Sequence, residues 1–213
     1  MMTTLHPRLL PAFAALLLAA TGARAAEPAP LQWAADPAKS TLEFNFVQAG
    51  AKTTGRFTKF TANVDFSPTD LAKGKIDVAI DMGSADTRDK DRDGTLKTAD
   101  LFDTAKFARS TYLATTFAAK GTGFDGQGKL TLRGVTRDVP IHFTFQPGNE
   151  AGKPVATLKG TATVKRLAFG VGQGEWKSTE WVNDDVEVSF SLLLRPRAAA
   201  PAIPATPTPA QRK

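Results

Sequence analysis

The side chains able to do chemistry in this chain are few and poorly grouped. No cysteine occurs, His142 is the one histidine after the first 25 residues, and no Gly-x-Ser-x-Gly turn presents a serine. A general base or covalent nucleophile has little to be built from. His142 stands between Ile141 and Phe143, which puts it on the polar face of an alternating strand. A lone exposed imidazole of that kind is a poor metal ligand. The spacing Asp89-Lys90-Asp91-Arg92-Asp93-Gly94 opens like an EF-hand loop, with the glycine at position six. Against calcium stand Asp100 in place of glutamate at position twelve, the charges of Lys90 and Arg92, and a strand rather than a helix before it. Two readings are open: a calcium loop over 89–100, or a solvated polar loop with Asp–Arg pairing. Gly121-Thr122-Gly123-Phe124-Asp125-Gly126 has dinucleotide-fingerprint spacing, but a strand follows where that motif needs a helix N-terminus. It reads as a hairpin turn, and no cofactor is expected.

The residues that dominate the chain are apolar and spaced by two. Leu42, Phe44 and Phe46 alternate with polar neighbours, as do Phe60, Ala62, Val64 and Phe66, and then Ile76, Val78 and Ile80. Leu130 and Leu132, then Val139, Ile141, Phe143 and Phe145, continue the pattern. Leu158, Ala162 and Val164, and finally Val186 to Leu194 in steps of two, complete it, with a weaker run at Thr115, Phe117 and Ala119. Alternation of this kind buries one face of a strand. Turn-rich segments at 67–70, 121–128, 134–137 and 147–153 separate the runs. No long helical repeat intervenes, so the expected fold is all-β: an antiparallel meander of eight strands closed into a barrel, filled by its own side chains or holding one small ligand. A two-sheet sandwich satisfies the same alternation. Only residues 84–110 break the rhythm. Leu96, Leu101, Phe102 and Phe107 there have near-helical spacing, which predicts a long, partly helical loop across one barrel mouth.

Composition bounds the context. Residues 1–25 carry Arg8, an apolar run of about 12 residues and a small-residue ending at Ala23 and Ala25, a secretory leader too short for the ~20 residues of a membrane span. Export to the periplasm is the corresponding expectation. From 195 to 213 the chain is Ala/Pro-rich and aperiodic, and is expected to be a disordered tail. The net charge of +6 resides in these ends: two of the 27 basic residues lie in the leader and four in the tail, leaving 21 against 21 acidic residues in the domain at 26–194. A nucleic-acid partner has no support in a neutral domain. Without cysteines, such an exported domain must stand on core packing.

An ordered set of motifs carries a resemblance. It runs from Trp33, Asp36 and Ser40 through Gly55-Arg56-Phe57 with Phe60, and Ser84-Ala85-Asp86-Thr87. The segment from Arg92-Asp93-Gly94 to Leu101-Phe102-Asp103 follows, and then Gly128 to Thr136. Phe169-Gly170-Val171-Gly172-Gln173-Gly174-Glu175-Trp176 and Asp184-Asp185-Val186 end it. Over about 31–194 the chain resembles the YceI-like family, exported proteins of lipocalin-type barrel fold associated with polyisoprenoid lipids. It departs from the family at Thr95, where many relatives have histidine, and at Ala108, where they have proline. The resemblance implies a lipocalin-like barrel that binds a polyisoprenoid or isoprenoid-quinone-like lipid and is not an enzyme. Peripheral membrane encounter and a homodimer are open. Alternation then nominates Phe44, Phe46, Phe57, Phe60, Val78 and Ile80 as lipid-binding wall. Phe117, Ile141, Phe143 and Phe190 extend it, Phe102 joins from the loop, and Arg92 is placed for a polar headgroup.

Overall fold

The computed structural model describes residues 32–197. The leader expected at 1–25 and the tail beyond 197 lie outside the described residues. Eleven strands are present: β1 (Gln32–Ala35), β2 (Thr41–Gln48), β3 (Ala51–Phe57), β4 (Phe60–Asp65), β5 (Lys75–Asp81), β6 (Ala85–Asp86), β7 (Arg109–Lys120), β8 (Gly123–Leu132), β9 (Val135–Glu150), β10 (Lys153–Lys165) and β11 (Asp185–Pro196). One α-helix, α1 (Lys90–Leu96), and four short 3-10 turns join them.

These strands make eight staves. β1 pairs with both β4 and β11, which closes the ring β1-β4-β5-β7-β8-β9-β10-β11. That pairing decides for the barrel and against a sandwich. β11 pairs with β1 through 194–196 and with β2 through 187–191, so β1 and β2 are one stave broken at 36–40. The break begins at Asp36-Pro37, where the Asp36 carboxylate accepts from Ala38 N at 3.1 Å. β3 and β4 form a second stave kinked at 58–59, and β6 continues β5 to pair with β3. Within the eight-membered ring no strand is left as a free edge.

The hairpins are tighter than the sequence predicts. At Ala49-Gly50, Arg133-Gly134 and Ala151-Gly152 both turn residues have positive φ, the type I′ geometry whose twist matches the strands it joins. The strands therefore run into the segments expected as turns at 121–128, 134–137 and 147–153; even Pro147 sits in β9, opposite Ala156. β3 went unread because Lys52, Thr53, Thr54, Gly55 and Arg56 show no apolar alternation. The domain end expected at 194 also moves outward. Arg195 and Pro196 continue β11, and the Arg195 guanidinium donates to Asp36 at 2.9 Å and Glu150 at 2.6 Å.

The barrel interior divides into two halves. At the end reached by the β7–β8 and β9–β10 hairpins, Phe66 is the hub of a packed aromatic cluster. Its ring centroid lies 5.4 Å from Phe117, 5.0 Å from Phe124, and 5.2 Å from both Phe143 and Phe145, all edge-on. Edge-to-face packing at these distances is the favoured arrangement of aromatic quadrupoles. Trp33 closes the cluster against Phe145. The opposite half is hollow.

Candidate hydrophobic ligand site

The hollow half holds a cavity of about 470 Å³, within the ~300–1,000 Å³ usual for ligand sites. Inward positions of the staves form its wall because each stave alternates, and the closed ring turns every apolar face to the same axis. Phe44 and Phe46 come from β2, Phe57 from β3 and Phe60 from β4. Val78 and Ile80 of β5, Ile141 of β9 and Phe190 of β11 extend the wall. Phe102 and Arg92 reach it from the long segment 87–108, which crosses the mouth.

Two of the nominated wall residues do not border the cavity. Phe117 and Phe143 point inward but belong to the aromatic cluster beneath it. Alternation reports which face a side chain takes, not how far along the barrel it lies. Other wall residues were not nominated, among them Tyr112, Leu130, Leu158, Val188 and Trp176. Leu130, Leu158 and Val188 were visible in the alternation as inward positions; Trp176 comes from an irregular segment with no such signal.

The buried polar groups at the cavity are already engaged. Tyr112 Oη donates to Val139 O at 3.0 Å, burial pushing the phenol's pKa well above its usual range. Ser110 Oγ donates to Thr131 O at 2.7 Å. Among the described residues no buried side-chain nitrogen or oxygen lacks a hydrogen-bond partner. The wall presents hydrocarbon and little to grip a polar ligand.

Arg166 is the residue sequence reasoning missed. It continues the inward positions Ala162 and Val164, a basic residue at a site where alternation calls for an apolar one. Its side chain is buried at 4 % exposure. Nε donates to Asn183 O at 3.0 Å, Nη1 to Val171 O at 3.1 Å and Trp176 O at 2.7 Å, and Nη2 to Ser178 O at 3.2 Å and Val182 O at 2.7 Å. All five N–H donors of the planar fork are thereby used. Burial lowers the guanidinium's pKa, opposed by the charge of Asp184. Arg166 thus organises the irregular segment 167–184 into one wall of the mouth. Arg133 does the same for the other side, donating to Ala99 O at 2.6 Å and to Leu101 O. The amides of Gly172 and Gln173 then join the two sides through Asp100 O, at 2.9 and 2.8 Å.

The aspartates that resembled a calcium loop have other roles. The Asp89 carboxylate caps α1, accepting from Asp91 N and Arg92 N at 3.1 Å each. Asp93 Oδ1 accepts from Thr87 N at 2.8 Å and Thr87 Oγ1 at 2.7 Å. A helix begins where the EF-hand reading placed a ligand loop. Asp89 and Asp93 are thus engaged within the protein, and among the described residues no three acidic or histidine side chains come together as a metal site. Arg92 Nη2 lies 3.6 Å from Asp89 at the rim. His142, half-exposed on the outer wall, has Nδ1 2.7 Å from Asp125. Hydrogen bonds from Lys120 first, and His142 second, hold the Asp125 carboxyl below its usual range.

Residues 33–194 match the family model described as the YceI-like domain. The chain belongs to the YceI-like family. It is 31% identical over 135 residues to a UPF0312 protein of Vibrio parahaemolyticus, covering 62% of this chain and 68% of that relative. Against a UPF0312 protein of Vibrio cholerae it is 30% identical over 120 residues, 55% of this chain and 64% of the other. The matched region thus spans about two thirds of these curated relatives. Among solved structures, Burkholderia cenocepacia BcnA is similar at TM-score 0.70 and 35% identity, covering 75% of this chain and 98% of that one. A polyisoprenoid binding domain from Saccharophagus degradans, implicated in plant cell wall breakdown, shares the fold at TM-score 0.57 and 17% identity, covering 78% and 99%. The Campylobacter jejuni YceI protein does so at 0.61 and 24%, covering 67% and 84%. The YceI-like barrel is therefore the fold of this chain.

Proposed function

We propose that this YceI-like protein is a non-catalytic binding or carrier protein that holds the tail of a polyisoprenoid, or of a similar long lipid such as an isoprenoid quinone, inside the barrel. The observation that carries the reading is the largely hydrocarbon-walled cavity of about 470 Å³, whose buried polar neighbours are satisfied within the protein. Such a wall rewards apolar surface: each CH₂ taken from water contributes about 0.8 kcal/mol. The solved fold relative described as a polyisoprenoid binding domain supports the same ligand class. Arg92 at the rim is the cation placed to meet a headgroup. The leader-like residues 1–25 support work in the periplasm, where a lipid between membranes needs shelter from water.

Native mass spectrometry of the full protein purified from its own cells tests the reading, followed by titration with added polyprenols. Co-purifying or titrated prenol lipid is the expected result. Val188→Glu sets a carboxylate into the wall and is expected to abolish uptake, because a charge there costs several kcal/mol to desolvate. A wild-type protein that takes up no prenol, or a Val188→Glu protein that takes it up unchanged, refutes the proposal.

A further inference from the structure

We infer that the aromatic cluster beneath the cavity is a chain-length stop, and that Phe143 and Phe66 set the longest tail this barrel can cover. The inference rests on the carrier reading above and adds a selectivity to it.

The floor is solid. Phe143 and Phe66 are 1 % and 3 % exposed, and Phe143 also meets Phe117 edge-on at 6.0 Å. Both side chains are enclosed by the surrounding rings. A Cβ at Gly160 would press on His142 O and fall 2.6 Å from Phe190 Cζ and 2.7 Å from Phe143 Cβ, and one at Gly126 would fall 3.0 Å from Ile141 Cγ1 and from Phe117 Cε1; neither position has space for a side chain. A tail would have to displace several interlocked rings together, and close-packed interiors resist that.

The floor lies directly below the cavity. Ile141 and Ala162 face each other across β9 and β10 and both border the cavity. On β9 the next inward residue, Phe143, is floor, whereas β10 and β11 border the cavity down to Leu158 and Leu192, so the floor is inclined to the strands. On β11 the cavity wall runs from Val186 to Leu192, about 20 Å along the strand at ~3.3 Å per residue, or about 15 Å along the axis for a strand tilt near 40°. A longer tail must double back or leave its end in water.

The test measures Kd for geraniol, farnesol, geranylgeraniol, solanesol and undecaprenol with the full chain, by competition against one fluorescent lipid. Below the limit each added isoprene unit buries further CH₂ groups and tightens binding by well over tenfold. Beyond it each unit changes Kd by less than about threefold. Phe143→Ala opens the floor and extends the limit by about one isoprene unit, because truncating the ring to a methyl leaves a void of about that size, whereas leucine would remove only a fraction of it. Phe117→Ala, at a half-buried position, provides a milder second opening should the first variant fold poorly. Ala162→Leu raises the floor and shortens the limit. Wild-type protein that binds none of the prenols overturns the carrier reading and this inference together. Binding that tightens steadily to undecaprenol, or levels off at one length in every variant, overturns the chain-length stop alone.

Discussion

Replacing Arg166 by methionine removes five hydrogen bonds at once and leaves five backbone carbonyls of the segment 171–183 without their donor. Hydrogen bonds from a charged donor are worth about 1.5–3 kcal/mol each when intact, so the simple sum is an upper bound. Two effects reduce it. Several of these carbonyls lie near the surface and regain water, and methionine escapes the desolvation that depresses the arginine's pKa. The expected loss is about 3–5 kcal/mol, comparable to breaking other buried charged networks and a large part of a stability of ~5–15 kcal/mol. It should fall first on the mouth, because the staves keep their own ladders. Urea unfolding gives the global term, and hydrogen exchange of peptides covering 171–183 gives the local one. Arg166→Lys should rescue little, since three donors on one nitrogen cannot reach carbonyls spread around a planar fork. A destabilisation below about 1 kcal/mol, with exchange over 171–183 unchanged, would refute the assignment of Arg166 as organiser of the mouth.

Gly172→Ala should mimic part of that loss. Gly172 has φ +115°, and a Cβ there would lie 2.7 Å from Trp176 O and press on the Arg166 guanidinium; overpacking and backbone strain together predict about 2–4 kcal/mol by urea unfolding. Added to Arg166→Met it should cost much less than it does alone, and strict additivity would count against the coupling. Asp36 is held below its ordinary pKa of 3.8, chiefly by the hydrogen bond from Arg195. Glu150 is held below 4.5 by Lys39 and then Arg195. Folded values below unfolded ones mean that this stabilisation is complete above pH 4.5 and is lost as pH falls through the folded values. Thermal melts across that acid range should therefore fall less steeply for Arg195→Gln than for wild type; parallel slopes would show that the Arg195 cluster contributes nothing to acid sensitivity.

Much of the fold was legible because one physical pattern repeats. Alternating apolar residues need a buried face, and eight such runs with short turns favour a barrel. β3 was invisible, since Lys52 to Arg56 are polar and Gly55 is small. Gly55 is small for a tertiary reason: a Cβ there would lie 2.6 Å from Phe44 Cε2. Ten of the twelve nominated site residues border the cavity, because inward orientation is a local property of a strand. Phe117 and Phe143 share that orientation, yet their rings are floor. The Asp89–Asp93 spacing left two readings open for the opposite reason, a local motif that fits both an ion loop and a capped helix.

Composition and periodicity alone determined that the domain is close to neutral and all-β, has a greasy interior, and offers few of the side-chain groupings of common catalysts. Ring closure between β1 and β11, the partition of that interior into hollow and packed halves, and the gathering of five carbonyls around Arg166 were decided only in three dimensions. Each depends on residues distant in sequence meeting at one place: Trp33 with Pro196, Phe66 with Phe143, Arg166 with Val182. A period of two specifies which way a side chain points, while empty space is set by what else points there.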